Sequence, residues 1–356
     1  MISCIVALSV TTCSSDETTV TASANYSYKG PGSVWSVDLK ADGSFTITKA
    51  ASTSAAVSLT INGTYQRLST GFIKFTVTSA TGTDAPAAGS TATAVEVPGF
   101  ALMLKPLGGD QIIPMVEAGK CPTGDMNANW VIVRKGQGNN GAASTSKDFF
   151  GTFKLSGTTP SLPKKYALAG PYTVLTEQSM PAGSACSSGL MQLLDGTTVS
   201  ADMFLTSNGG AIVHTSPGST DDSFIFGLPI QSVTAATVAG SYAGLLFDES
   251  NADGSEISFV SASLAVSGST LAGSGNVVSN IDTGATTAGS VTISLNAFDS
   301  PSQGFMTGTI TEGSNSGLIA CMANPNANNS GKNVISCVGQ SPSTNDNMFN
   351  VLLVSK

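Results

Sequence analysis

Charge is what this sequence has least of. Only 11% of its 356 residues are Asp, Glu, Lys or Arg, against roughly 25% in an average soluble protein. The 15 basic residues form no run, and the densest points, Arg134-Lys135 and Lys164-Lys165, read as solvated strand ends. Nucleic-acid binding rests on cations that neutralise phosphates, so with a net charge of −8 no nucleic-acid partner is expected. Long apolar runs are missing too: nothing approaches the ~20 residues of a membrane-spanning helix. Aromatic residues, at 6%, are few for the girdles of a transmembrane barrel. The body therefore reads as soluble.

The residue types of catalysis are equally scarce. A serine or cysteine nucleophile needs a neighbouring base, and His214 is the sole histidine. It stands in "AIVHTSPG" (211–218), near Asp221 and Asp222, and reads as a half-exposed residue at a strand end. No Gly-x-Ser-x-Gly elbow occurs. Glycosidases set paired carboxylates across a cleft, usually beside aromatic platforms, and two tryptophans, Trp35 and Trp130, make a thin platform. One histidine and no Cys-x-x-Cys speak against zinc. The expectation is a protein that is not an enzyme and needs no cofactor.

What remains is β-forming. Gly (39 residues), Ser, Thr and Ala fill the place of charge, and Thr and Val suit pleated strands. "SVWSVDLKADGSFTITKA" (33–50) alternates apolar and polar residues on both sides of Asp42-Gly43, a hairpin signal. "GTYQRLSTGFIKFTVTSA" (63–80) repeats this around Ser69-Thr70-Gly71, and "FDESNADGSEISFVSASLAV" (247–266) around Asp253-Gly254. No long 3.6-residue period with capping residues is present, so helix content is expected to be low. The fold class expected is all-β, with consecutive antiparallel meander, barrel or sandwich modules.

Loose internal repetition divides the chain. "YALAGPYTVL" (166–175) is similar to "ATVAGSYAGLL" (236–246), and a further closing strand, "NMFNVLLVSK", ends the chain at 347–356. Modules are expected at 20–157, 165–230 and 238–356. The first and third are long enough for a closed barrel or sandwich, and the short middle one is expected to share a core with a neighbour. Ala-Gly-x-Tyr followed by up-and-down hairpins loosely resembles the lipocalin-type barrels.

"LSVTTC", residues 8–13, resembles the lipobox of bacterial lipoproteins, with an aliphatic residue three before a cysteine and small residues between; Thr12 stands where Gly, Ala or Ser is usual. The apolar run Ile5–Leu8 suits a secretory signal and is too short to cross a bilayer. The resemblance implies a signal-like segment 1–12 cut before Cys13, lipid on the Cys13 sulfur, and a tether 13–21. It implies contact with membrane through the anchor alone, and a place in the bacterial cell envelope, attached to the outer membrane and periplasmic or surface-exposed. Six cysteines are present; setting aside Cys4 and Cys13 leaves Cys121, Cys186, Cys321 and Cys337, an even set that suits an exported, disulfide-bonded chain. Of three pairings, proximity in sequence favours Cys121–Cys186 and Cys321–Cys337.

Two further stretches are candidate sites. Glu249, Asn251 and Asp253 have part of the spacing of a calcium loop, but Val260 stands where the closing Glu belongs, and a solvated turn is the plainer reading. "GFALMLKPLGGDQIIPMVEAG" (99–119) is the most apolar region. Met103 and Met115 could line an apolar cavity there, since methionine suits adaptable binding surfaces; ordinary core packing is the alternative, and no metal is expected at either stretch. The first functional expectation is an exported, lipid-anchored envelope protein with a structural, adhesive or ligand-binding role and an unidentified surface partner. The second is a lipocalin-like carrier of an apolar small molecule, and the third a secreted hydrolase with an unrecognised site.

Overall fold

The computed structural model describes residues 24–31, 34–52, 55–106, 112–134, 150–168, 174–175, 178–215, 223–248, 256–340 and 348–356. The lipobox-like segment with Cys13, the tether, and the calcium candidates Glu249, Asn251 and Asp253 lie outside these residues.

The fold is nearly all strand. The first eight strands are β1 (Tyr26–Gly30), β2 (Val34–Leu39), β3 (Ser44–Ala50), β4 (Val57–Arg67), β5 (Ile73–Gly82), β6 (Thr91–Val97), β7 (Ala101–Lys105) and β8 (Ile113–Glu117). Each pairs antiparallel with the next and β8 pairs back with β1, which closes an N-terminal barrel. Nine strands follow: β9 (Met126–Arg134), β10 (Phe150–Ser156), β11 (Thr159–Tyr166), β12 (Val174–Leu175), β13 (Gln178–Ser179), β14 (Leu190–Asp195), β15 (Thr198–Leu205), β16 (Ala211–Thr215) and β17 (Ser223–Pro229). They make one open sheet in the order β12-β11-β10-β9-β17-β16-β15-β14, with β13 also on β11. A four-residue helix, α1 (Ala235–Val238), leads into the last eight: β18 (Gly240–Asp248), β19 (Glu256–Ser267), β20 (Thr270–Asn280), β21 (Ala285–Phe298), β22 (Phe305–Glu312), β23 (Asn315–Asn324), β24 (Val334–Gln340) and β25 (Met348–Ser355). These close a second, C-terminal barrel, β25 pairing with β18.

The hairpins expected around Asp42-Gly43 and Ser69-Thr70-Gly71 form as β2–β3 and β4–β5, while the turn expected at Asp253-Gly254 lies outside the described residues. Between β2 and β3 the Asp42 carboxylate accepts hydrogen bonds from the Ser44 N–H and hydroxyl, and Gly43 takes the positive φ of 82° that the turn needs. The module boundary at 157 does not follow the fold. The N-terminal barrel is complete at Glu117, and residues 126–156, assigned above to the first module, are β9 and β10 of the middle sheet. The Ala-Gly-x-Tyr likeness does not join equivalent elements either: 166–175 runs from the end of β11 to β12, whereas 236–246 covers α1 and much of β18.

A shared core explains why the boundary was hidden. Outward residues of the N-terminal barrel (Phe72, Val95, Met103), of the middle sheet (Val131, Phe150, Phe226) and of the C-terminal barrel (Leu245, Phe305, Leu352) belong to one continuous apolar cluster. Phe150 meets Tyr166 and Phe305 with ring centroids 5.1 Å from each, joining sheet to barrel. Strands with both faces buried read as apolar runs without alternation, which is how 99–119 reads. Both favoured disulfides form. Cys321 and Cys337 are cross-strand partners on β23 and β24, while Cys121 lies in the connector after β8 and bonds to Cys186 just before β14. That bond pins the connector to the edge of the middle sheet.

Tight coiling of the C-terminal barrel depends on inward glycines. Gly308 on β22 faces Leu295 and Ile319 across the ladder, and a Cβ there would lie 1.9 Å from the Ser294 carbonyl oxygen. Gly308→Ala is expected to cost about 1–3 kcal/mol by overpacking, read as a lowered Tm. Gly275→Ala, whose Cβ meets only Val291 Cγ2 at 3.4 Å, is expected to leave Tm within about 2 °C.

Candidate functional site: the interior of the C-terminal barrel

The two barrels share a topology and differ in what fills them. Inward positions of the N-terminal barrel carry Tyr28, Phe45, Tyr65 and Phe75, all buried, with Phe45 and Phe75 edge to face at 5.0 Å. The void left is about 100 Å³. In the C-terminal barrel the inward faces carry glycine at 244, 273, 275, 308, 317 and 339, each opposite an inward core residue in register. The rest are mainly Val, Ile, Leu and Ala, and a cavity of about 290 Å³ remains.

That cavity is bounded by Leu246, Val260, Ala262, Val291, Ile293, Ile310, Ile319, Phe349, Val351 and Leu353, with Asn276 and Glu312 as its polar members. Glu312, at the end of β22, is exposed, so the cavity reaches solvent at the barrel end where β18, β20, β22 and β24 finish. The opposite end is shut. Val233 and Val238 pack into the barrel core beneath Tyr242 and Leu264. α1 is capped by Thr234, whose hydroxyl accepts from the Thr237 N–H. The Tyr242 hydroxyl donates to the Val238 carbonyl, and burial pushes its pKa up, partly offset by Asn333. Asp299 accepts from the N–H groups of Val233 and Gly304, tying the linker to the turn before β22. The result is an apolar cup with a plugged base and a polar lip, the shape and chemistry of small-molecule sites.

The N-terminal barrel carries a buried ionic network at one end. Glu96 accepts from Arg67 Nε at 2.7 Å and Nη2 at 3.0 Å, and from the Tyr28 hydroxyl at 2.6 Å. Tyr28 in turn accepts from the Gly99 N–H, and Arg67 lies over the rings of Tyr26 and Tyr65. Burial would lower the pKa of Arg67, but the paired hydrogen bonds and charge of Glu96 outweigh it and raise it above its ordinary value. Burial, followed by the Glu96 charge, raises the Tyr28 phenol well above its usual range. Both oxygens of the carboxylate accept from donors fixed in the barrel, so the network ties β1, β4 and β6 together.

The sequence-predicted residues fall apart from one another. Met103 borders neither barrel cavity: strand alternation sends Leu102 and Leu104 inward and Met103 outward into the shared core. Met115 points inward but is fully buried by packing and does not border the small void. His214, expected at the surface, is 5% exposed in β16, with its ring 4.9 Å from that of Phe224. The cup was missed. Its signal was the glycine spaced two apart in "LAGSG" (271–275), at inward positions of a strand.

No protein-family model matches this sequence, and no curated protein matches it. Among solved structures, the chain is similar to the isotype 1 transferrin binding protein B from serogroup B Neisseria meningitidis, at 12% identity and a TM-score of 0.30. The match covers 91% of this chain and 65% of that one, so this chain spans less than two thirds of that protein's length.

Proposed function

We propose that this chain is an exported, lipid-anchored, non-catalytic β-protein of the bacterial envelope whose C-terminal barrel binds a small apolar molecule. The observation that carries the reading is the cup itself: about 290 Å³, apolar walls, one end plugged and one end open beside Glu312. A sealed core would have filled that volume, because native interiors are packed to crystal density and voids cost stability. The N-terminal barrel fills its own interior with aromatic rings and serves as support, joined to the site through the shared core. The lipobox-like segment and the even set of body cysteines support export and anchoring at Cys13.

The size sets the ligand. An apolar cavity of about 150 Å³ holds benzene, so this one suits a chain of about eight carbons or a compact monocycle. Octan-1-ol is expected to bind the full-length chain at one per molecule with a Kd on the order of 0.1 mM, which is about 0.6 kcal/mol per non-hydrogen atom and inside the range that small ligands reach. Calorimetric titration showing no saturable heat for octanol or a compact apolar ring would overturn the reading. Anchoring has its own check: intact mass of the membrane-extracted protein should show residues 1–12 gone and a lipid adduct on Cys13.

A further inference from the structure

The charge of the C-terminal third of the chain is one-sided. Residues 238–356 hold eight Asp and Glu against two basic residues, Lys332 and Lys356, and so carry six of the eight net negative charges of the chain. Both lysines sit at the plugged end: Lys332 precedes β24, and Lys356 follows β25 with its Nζ bonded to the Ser261 hydroxyl. At the open end stand Glu312, which lines the cup, and Asp248 and Glu256, which oppose each other directly on β18 and β19.

Among the described residues, two cations reach this end from the N-terminal barrel, and both are engaged. Lys74 Nζ contacts the Asp282 carboxylate at 2.7 Å, and Lys105 Nζ donates to the Ile257 carbonyl while lying 5.2 Å from the centre of the Phe259 ring. Among the described residues, none forms an ion pair with Glu312. An apolar cup whose lip carries an exposed carboxylate in a negative field attracts and orients one kind of molecule.

We infer that the cup selects a cationic amphiphile, an alkyl chain or small apolar ring bearing an amine, with its tail among Ile293, Ile319 and Leu353 and its ammonium at Glu312. The inference rests on the reading of the C-terminal barrel as an apolar binding site and adds the charge of the ligand. The tail supplies burial; the head stays at the lip, where a charge keeps most of its hydration and gains the carboxylate.

Octylamine, octan-1-ol and octanoate, titrated calorimetrically into the full-length chain at pH 7 and low salt, separate the two claims. Octylamine is expected to bind about tenfold more tightly than octanoate, with octanol between, the scale of one partly solvated charge contact. Raising the salt should narrow that gap, and Glu312→Gln should bring octylamine down to the affinity of octanol on the same variant. Octanoate binding as tightly as octylamine, or a preference that survives in Glu312→Gln, overturns the charge inference and leaves the apolar site standing. Failure of all three to bind overturns both.

Discussion

Glu96→Gln is expected to lower the unfolding free energy by about 3–5 kcal/mol, the usual cost of leaving one member of a buried ion pair uncompensated. The burial decides the size: the Glu96 side chain is 3% exposed and that of Arg67 14%. Glutamine keeps the shape and an oxygen for the Tyr28 hydroxyl but removes the charge that two guanidinium nitrogens contact. Arg67 then remains charged inside a barrel end lined by tyrosine rings. The double variant Arg67→Met/Glu96→Gln removes both charges and is expected to recover most of the loss, since paired buried charges are often replaceable by neutral groups at little cost. Chemical denaturation of the two variants measures the difference, and a double variant as unstable as the single one would show that the network acts by shape and not by charge.

Gly275→Leu is expected to weaken octanol binding about 30-fold and to raise stability by about 0.5–2 kcal/mol. Position 275 faces Ala262 and Val291 inside the barrel and borders the cup. Its backbone accepts a side chain, with only Val291 Cγ2 within 4 Å of the added Cβ, at 3.4 Å. Three further carbons enter the void, fill about a third of it, and take the place of about a third of the ligand tail, two to three methylenes at about 0.8 kcal/mol each. Opposite signs for affinity and stability distinguish a binding cavity from a site that merely unfolds on mutation. A variant that gains stability and still binds octanol with unchanged affinity would place the ligand elsewhere.

The hairpins were legible because one face of each strand is polar: Asp38, Thr46 and Thr48 alternate with Val37, Leu39, Phe45 and Ile47, and the turn residues Asp42-Gly43 stand between them. The junction after Glu117 was not. β9 reads "MNANWVIVR", apolar toward its end like β7 and β8 before it, because the middle sheet is buried against both barrels. No change of composition marks where one closed barrel ends and an open sheet begins. His214 was misplaced for a related reason: every residue of β16 from Ala211 to His214 is buried, and the His214 ring packs against that of Phe224 instead of facing solvent.

The cup was the least legible feature. A hollow barrel and a filled one carry the same alternation, and what separates them is the volume at inward positions, where Gly63 with Phe45 and Phe75 in one barrel contrasts with Gly273, Gly275 and Gly308 among aliphatic residues in the other. Volume sums over strands that the sequence does not order in space. Glu312 gives no local signal at all, being one acid in a β-rich stretch until closure brings it to the lip.

A crystal of the full-length chain soaked with 8-bromooctan-1-ol tests the central claim directly. The anomalous signal is predicted to place the bromine inside the C-terminal barrel, in contact with Ile293, Ile319 and Leu353, with the hydroxyl toward Glu312. Bromine found only in the shared core between the modules, in the N-terminal barrel, or between molecules, with the cup unfilled, would contradict it.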